Sequence, residues 1–481
     1  MKLLLFFFGL SISEGRVFPP SFKFCAATAA YQIEGAAREE GRSPSIWDVF
    51  SHIPGKTDGG QNGDNAVDHY HLFKDDIDLM KQLNFDVFRF SLSPSRILPT
   101  PDYKVNEEGI FHYRRVLEYL KFQGIKPLVT LFHWDLPQYM DELYGGLLNA
   151  TALKEFFSKY AEAAFDGLGD LVDSWSTFNE PYTSCMQGYQ YGSMAPGRNI
   201  HPESEPYDCI HAVLVSHGAV AKIFKEKFPK GTSNKTISIA VNCDWQEPYT
   251  DSEEDKNASI RGLDYYLHVF MDPIYFGKYP DGMVERSQGH LKPLTPEEVE
   301  LINGSVDVFA LNSYTSNYVY NDPNLTLGES YDNDGLLGKT FTSINGTSIG
   351  NVTEPSWLYN VPWGIGKLIR HINQRYNPGE ILVTENGLCV TGEPNWVGDE
   401  VLKDQGRIDF YKGYLNAILD AVEEGVPVST FCAWSMFDNY EWARGYTQRF
   451  GITYVNYTTQ ERFFKDSALW FGRLINRTEG V

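Results

Sequence analysis

Eight short runs, each nearly continuous in apolar or β-branched residues, recur along this chain and constrain its fold more than any other feature. They lie at 24–31, 87–93, 127–133, 173–179, 237–244, 306–314, 381–385 and 428–436. Strands buried on both faces read this way, whereas strands with one wet face alternate. The segments between them carry helical spacing. Phe73, Ile77, Met80 and Leu83 mark one apolar stripe, with Lys74, Asp75, Asp76 and Lys81 assigned to the opposite face. Tyr113, Val116, Leu117 and Leu120 mark a second. Eight strands alternating with helices predict an α/β fold, a single (β/α)8 TIM barrel with enlarged βα loops. At 42% hydrophobic and 15% aromatic residues, the 481-residue chain has ample material for such a core. No low-complexity linker or charge block divides it, so 16–481 reads as one domain. The stretch 321–354, rich in Gly, Asn, Ser and Thr, is too polar for a core element and reads as an excursion between strands six and seven.

In a barrel of this kind, chemistry sits at the C-terminal ends of the strands. Glu180 ends strand four within Thr177-Phe178-Asn179-Glu180-Pro181, and Glu385 ends strand seven within Val383-Thr384-Glu385-Asn386-Gly387. His133 and Trp134 follow strand three, Asn312 and Tyr314 end strand six, and 434–442 runs off strand eight. Two facing carboxylates are the machinery of glycoside cleavage. A single glutamate at a strand end is commonplace; a set of polar residues all on one rim is not.

Longer motifs surround these residues: Ala27-Thr28-Ala29-Ala30-Tyr31-Gln32-Ile33-Glu34-Gly35, Ser45-Ile46-Trp47-Asp48, Asp68-His69-Tyr70, Arg89-Phe90-Ser91, Thr130-Leu131-Phe132-His133-Trp134-Asp135-Leu136-Pro137 and Trp434-Ser435-Met436-Phe437-Asp438-Asn439-Tyr440-Glu441-Trp442. In this order they resemble glycoside hydrolase family 1, the retaining β-glycosidases, over nearly the whole chain. The resemblance implies Glu180 as general acid/base and Glu385 as nucleophile, with carboxyls about 5 Å apart. It implies Arg89 and Tyr314 as partners of the nucleophile, Asn179 at the sugar 2-hydroxyl, and Asn312 supporting the same centre. The sugar pocket it implies comprises Gln32, His133, Trp134, Glu441 and Trp442, with Trp434 as stacking floor and Phe450 beside it. Trp357 is the expected platform for the leaving group. Arg89 would pair with a carboxylate in any barrel, so part of its role is structural either way. Pro94, Leu147, Val269, Ala212 and Cys25 depart from the family's usual residues, and none of these removes a catalytic group.

The resemblance implies a β-glucosidase working through a covalent glycosyl-enzyme. β-Galactosidase, β-fucosidase or transglycosylase action on the same site, and an inactive carbohydrate-binding relative, remain alternatives. Glu441 opposes a 6-phosphate, and Glu180 is a true acid where plant thioglucosidases carry glutamine. No metal or organic cofactor is required, because two carboxylates and water complete the cycle. Needing one carboxyl ionised and its neighbour protonated predicts an optimum around pH 5 to 6.

A formal charge of −22 excludes nucleic acid and anionic membrane as partners of choice. Residues 1–15 open with Met-Lys and an apolar run that reads as a secretory signal peptide, too short to span a bilayer. Asn149, Asn234, Asn257, Asn303, Asn324, Asn345, Asn351, Asn456 and Asn476 all sit in N-x-S/T contexts, which predicts an N-glycosylated protein of the secretory pathway. No membrane anchor follows, and the oligomeric state is unassigned. Of the six cysteines, Cys25, Cys243 and Cys432 fall in strand-like runs and read as free buried thiols. One disulfide is allowed for without a pairing.

Overall fold

The computed structural model describes residues 16–481, so the leader expected at 1–15 lies outside it. Eight strands close a barrel: β1 (Lys23–Ala27), β2 (Val87–Ser91), β3 (Lys126–Phe132), β4 (Ser174–Asn179), β5 (Thr236–Asn242), β6 (Phe309–Asn312), β7 (Ile381–Asn386) and β8 (Val428–Trp434). Each pairs in parallel with its sequence neighbours, and β1 pairs with β8 to close the ring. The strands are buried on both faces, as their unbroken apolar runs require.

The observed strands stop short of several expected runs. Residues 28–31 and 435–436 are as buried as the strands they follow, because the rim segments after the strands, among them the short helix Ala30–Ile33, continue the apolar pattern beyond the last ladder bond. Burial outlasts pairing there.

Helices surround the barrel: α1 (His69–Gln82), α2 (Glu107–Gln123), α3 (Ala150–Leu168), α4 (Glu205–Lys227), α5 (Glu253–Leu263), α6 (Val269–Phe276), α7 (Pro296–Ile302), α8 (Pro362–Tyr376), α9 (Gln405–Glu423) and α10 (Asp466–Ile475). Phe73, Ile77 and Met80 of α1 are buried as their spacing predicts, and so are Tyr113, Val116, Leu117 and Leu120 of α2. Asp76 corrects the expected polar face of α1. It is fully buried, accepting hydrogen bonds from His69 Nδ1 (2.7 Å) and Arg462 Nε (2.8 Å). A carboxylate tolerates that position because those donors replace water.

The excursion after β6 is partly exposed, and it is not structureless. Ser316–Asn321 pairs antiparallel with Leu337–Thr340 and parallel with Trp245–Pro248. Tyr331 within it is buried against Tyr207 and Tyr265.

Two cysteine expectations change. Cys25 and Cys432 are not free thiols: they face each other across the β1–β8 seam and form a disulfide. A second joins Cys185 to Cys209. Cys243 is free and buried as expected; Cys389, outside that expectation, is also free and buried. The β1–β8 register could not be read from two cysteines 407 residues apart. Among the described residues, no helix is long and apolar enough to cross a membrane.

Candidate active site

A cavity of about 520 Å³ opens at the C-terminal rim, and both glutamates line it. A register irregularity between Val383 and Glu385 of β7 sets Glu385 opposite Asn312 of β6. Gly387, two residues on, has no room for a side chain: a Cβ there would lie 1.8 Å from the Trp434 carbonyl oxygen. Glu180 follows β4 as a left-handed residue (φ 46°) immediately before the short helix Pro181–Cys185. Trp134 (φ 78°) and Trp442 (φ 51°) adopt the same uncommon region. Such conformations cluster at functional sites, where surrounding structure holds them in place.

The surroundings of the two carboxyls differ. Glu385 accepts from Arg89 Nη1 (2.5 Å) and from the Tyr314 hydroxyl (2.7 Å). Arg89 is fully buried and also donates to the Asn179 Oδ1 (2.6 Å). Burial, then the charges of Glu385 and Glu180, hold the Tyr314 phenol well above its ordinary range, so it stays a donor. Glu180 accepts from Asn312 Nδ2 (2.9 Å) and the Thr183 hydroxyl (2.9 Å) and has no cation in contact. Burial, with the nearby Glu385 charge second, raises its pKa to about 8. Glu441 is likewise raised to about 8, by burial first and the other two carboxylates next. One carboxyl paired with arginine and one kept protonated is the division of labour that acid-assisted displacement needs.

Hydrogen bonding fixes the orientation of the amides and the imidazole. The Asn179 oxygen accepts from Arg89 and from Asn312 Nδ2 (3.0 Å), so its nitrogen faces His133 Nε2 at 3.0 Å. His133 must therefore accept there and carry its proton on Nδ1, which is buried without a partner. Burial, then Arg89, push its pKa well below the ordinary value, so the ring is neutral.

Aromatic rings wall the rest. His133 stacks on both Trp434 (5.7 Å between centroids) and Trp442 (5.8 Å), and Trp134 lies 4.5 Å from Trp442. Tyr314 meets Trp357 and Phe450 edge-on. Trp357 is 47% exposed, which places it at the mouth, whereas Trp434 is 4% exposed, which places it at the floor. The loop carrying Glu441, Trp442 and Phe450 is tied down by Asp438, which accepts from Lys465 (2.8 Å), Arg449 (2.7 Å) and the Gly451 amide (3.0 Å). Lys465 in turn reaches Glu393, which also pairs with the buried Arg407.

The sequence-expected residues converge with one exception in position. Asn179, Asn312, Tyr314, His133, Trp134, Trp357, Trp434, Glu441, Trp442 and Phe450 line the cavity with the two glutamates, and Arg89 lies behind Glu385. Gln32 is set back from the wall. Its amide nitrogen is spent on Asn439 (3.0 Å) and the Tyr440 carbonyl (2.9 Å), reaching Glu441 only at 3.5 Å. Its Oε1 is buried without a partner. Sequence reading missed Thr183, Asn242, Asp244 and Tyr266, all on the cavity wall. Asn242 donates to Thr183 (2.8 Å), and Asp244 accepts from the Tyr314 and Thr315 amides (3.2 and 3.1 Å). A signal existed for two of them: Asn242 and Asp244 end strand five, the rim rule's own location. Lys56, Asp58, Gln187 and Met194 at the mouth had none.

Comparison with known proteins agrees with this geometry. The family model for glycosyl hydrolase family 1 matches residues 14–480. Beta-glucosidase 42 of Arabidopsis thaliana is 41% identical, over 96% of this chain and 94% of its own length. Beta-glucosidase 2 from the fungus Trichoderma reesei, solved in complex with Tris, superposes with a TM-score of 0.93 at 40% identity, covering 97% of this chain and 100% of that one. A mutant rice beta-glucosidase, solved in a covalent complex with Glc, superposes with a TM-score of 0.92 at 37% identity, covering 95% and 98%.

Proposed function

The chain belongs to glycosyl hydrolase family 1, and from that premise we propose that it is a retaining β-glucosidase in which Glu385 is the nucleophile and Glu180 the acid/base. The observation that carries this reading is the unequal pair in one cavity: Glu385 held by Arg89 and Tyr314, Glu180 protonated to about pH 8. In the first step a Glu385 oxygen bonds to the anomeric carbon as the glycosidic C–O bond breaks, and the Glu180 proton passes to the departing oxygen. In the second, Glu180 takes a proton from water, whose oxygen displaces Glu385, and the two inversions together give retention. Asn179, oriented by Arg89 and Asn312, meets the sugar 2-hydroxyl. Trp434 supports the ring face, Trp134 borders the pocket with its Nε1 spent on the Asn179 carbonyl (2.9 Å), and His133, Glu441 and Trp442 meet the sugar hydroxyls. Gln32 acts by holding the Glu441 segment, and Trp357 and Phe450 border the leaving group.

The substrate is a terminal β-glucoside of small size, an aryl glycoside or an oligosaccharide. We read 1–15 as a secretory leader ahead of a single catalytic domain at 16–481. Of the nine sequon asparagines eight are exposed and Asn456 is half-buried, which supports N-glycosylation in the secretory pathway, with an extracellular or vacuolar destination.

The test is release of nitrophenol from a panel of aryl β-glycosides, with Glu385→Ala beside the native enzyme and the first-formed sugar anomer followed by NMR. Expected are turnover of the β-glucoside, its loss in the variant, and β-glucose appearing before mutarotation. An α-glucose burst, or undiminished activity in Glu385→Ala, defeats the assignment.

A further inference from the structure

Behind the wall that Tyr182 and Tyr266 give the active site lies a second cavity of about 220 Å³. The two rings pack with centroids 4.2 Å apart and face both cavities. The far side is formed by Tyr191, Tyr265 and Tyr331, with Asp332 and Lys339 exposed at its rim. Tyr331 is held in place by donating to the Tyr265 carbonyl (2.7 Å). Asp332 uses one oxygen to accept from Gln190 (2.7 Å) and Tyr191, which leaves the other for a ligand. The Lys339 ammonium lies 5.4 Å over the Tyr266 ring instead of on a carboxylate.

We propose that this second cavity is an accessory site for one pyranose ring, either a free monosaccharide or the end of an oligosaccharide. Tyrosine faces accommodate the C–H faces of a sugar, and the charged pair at the rim supplies the polar contacts. One acceptor and one donor of opposite charge at the rim suit a neutral polyol. A ligand of either net charge would meet one like-charged residue, and an apolar one would strip water from both without replacing it. The volume falls below the roughly 300–1,000 Å³ of sites for drug-sized ligands, which limits the occupant to about one ring. The site also touches the chemistry. Asn242 donates to the Tyr266 hydroxyl (3.2 Å) and to Thr183, whose hydroxyl donates to Glu180, so an occupant stacked on Tyr266 lies three hydrogen bonds from the acid/base.

The choice of a sugar rests on the glycosidase reading, and the experiment separates the two. The enzyme is first treated with 2-deoxy-2-fluoro-β-D-glucosyl fluoride. Fluorine at C2 disfavours the charge that hydrolysis of the ester develops, so the Glu385 adduct accumulates and blocks the active site. D-Glucose and cellobiose are then titrated into the blocked enzyme by saturation-transfer NMR. The expected result is saturable millimolar binding that weakens at least about tenfold in Lys339→Ala and in Leu337→Trp. Nitrophenyl glucoside turnover by those unblocked variants should stay within about twofold of native, since neither residue is in the catalytic machinery. Binding of glucose identifies a free monosaccharide site; binding of cellobiose alone identifies an oligosaccharide end. Absence of saturable binding in the blocked enzyme, or binding unchanged in both variants, overturns the proposal. Failure to form the Glu385 adduct defeats the glycosidase reading instead. The titration then proceeds on untreated protein, where sensitivity to Lys339→Ala supports the site and insensitivity to both variants overturns it.

Discussion

Glu180 and Glu385 are the same residue type facing each other from β4 and β7 across one rim, and their partners make them chemically unlike. The sign of the pH dependence follows. Glu180 must carry a proton to assist departure of the leaving group, and with a pKa of about 8 it does so through neutrality. The kcat/KM for an alkyl glucoside, whose leaving group needs that proton, should therefore hold up to about pH 8 and fall tenfold per unit beyond. That extends the working range above the window of 5 to 6 expected from the sequence. A pH series that declines from pH 6 would contradict this placement of Glu180. Stability carries the same sign: Glu180 and Glu441, raised from an ordinary 4.5, contribute most below that value and lose the contribution as pH rises through about 8. At this scale the identity of the site residues was legible, because the barrel rule points to strand ends. Their backbone was not. Nothing in the types Trp134, Glu180 and Trp442 signals a left-handed φ, which is set by loops that meet only in the folded state.

Among elements, the loop after β8 shows how far the sugar pocket depends on groups that never touch it. Asp438, Glu393, Lys465, Arg407 and Arg449 form a buried network joining that loop to α9 and α10. Removing one carboxylate leaves buried cations unpaired, which typically costs about 3–5 kcal/mol. Asp438→Ala should therefore lose about that much stability in guanidinium unfolding, and the loosened Glu441–Trp442 segment should raise KM for glucosides more than it lowers kcat. Unchanged stability with unchanged KM would show that the network does not position the loop. The helix stripes on α1 and α2 were readable because 3.6-residue spacing is a local property. Asp76 was misplaced for the complementary reason: its partner Arg462 lies 386 residues away, and no periodicity reports a distant cation. The excursion after β6 hid Tyr331 in the same way, its polar neighbours outweighing one buried ring.

For the whole molecule, eight-strand closure was legible because each run is continuous and the intervening helices are amphipathic. The seam was not, since which strands meet depends on the count being complete. Its disulfide yields a test at this scale. Cys432→Ser should cost about 2–4 kcal/mol and lower the Tm by about 2–4 °C for a protein of this size. A scanning-calorimetry trace with an unmoved midpoint would show that the seam draws no stability from the bond.

That seam also sets the order in which the enzyme can be made. β1 ends at Ala27 and its partner β8 begins at Val428, so nearly the whole chain must leave the ribosome before the first strand finds its second neighbour. At about 5–20 residues per second, synthesis of 481 residues takes roughly half a minute to a minute and a half. Throughout that interval the free edge of β1 and the growing edge of the sheet offer unpaired backbone groups to other chains. Glu180 emerges well before β8 supplies Trp434 and the loop bearing Glu441, and Glu385 shortly before. The nascent protein thus holds both carboxylates while it still lacks a closed place for a sugar.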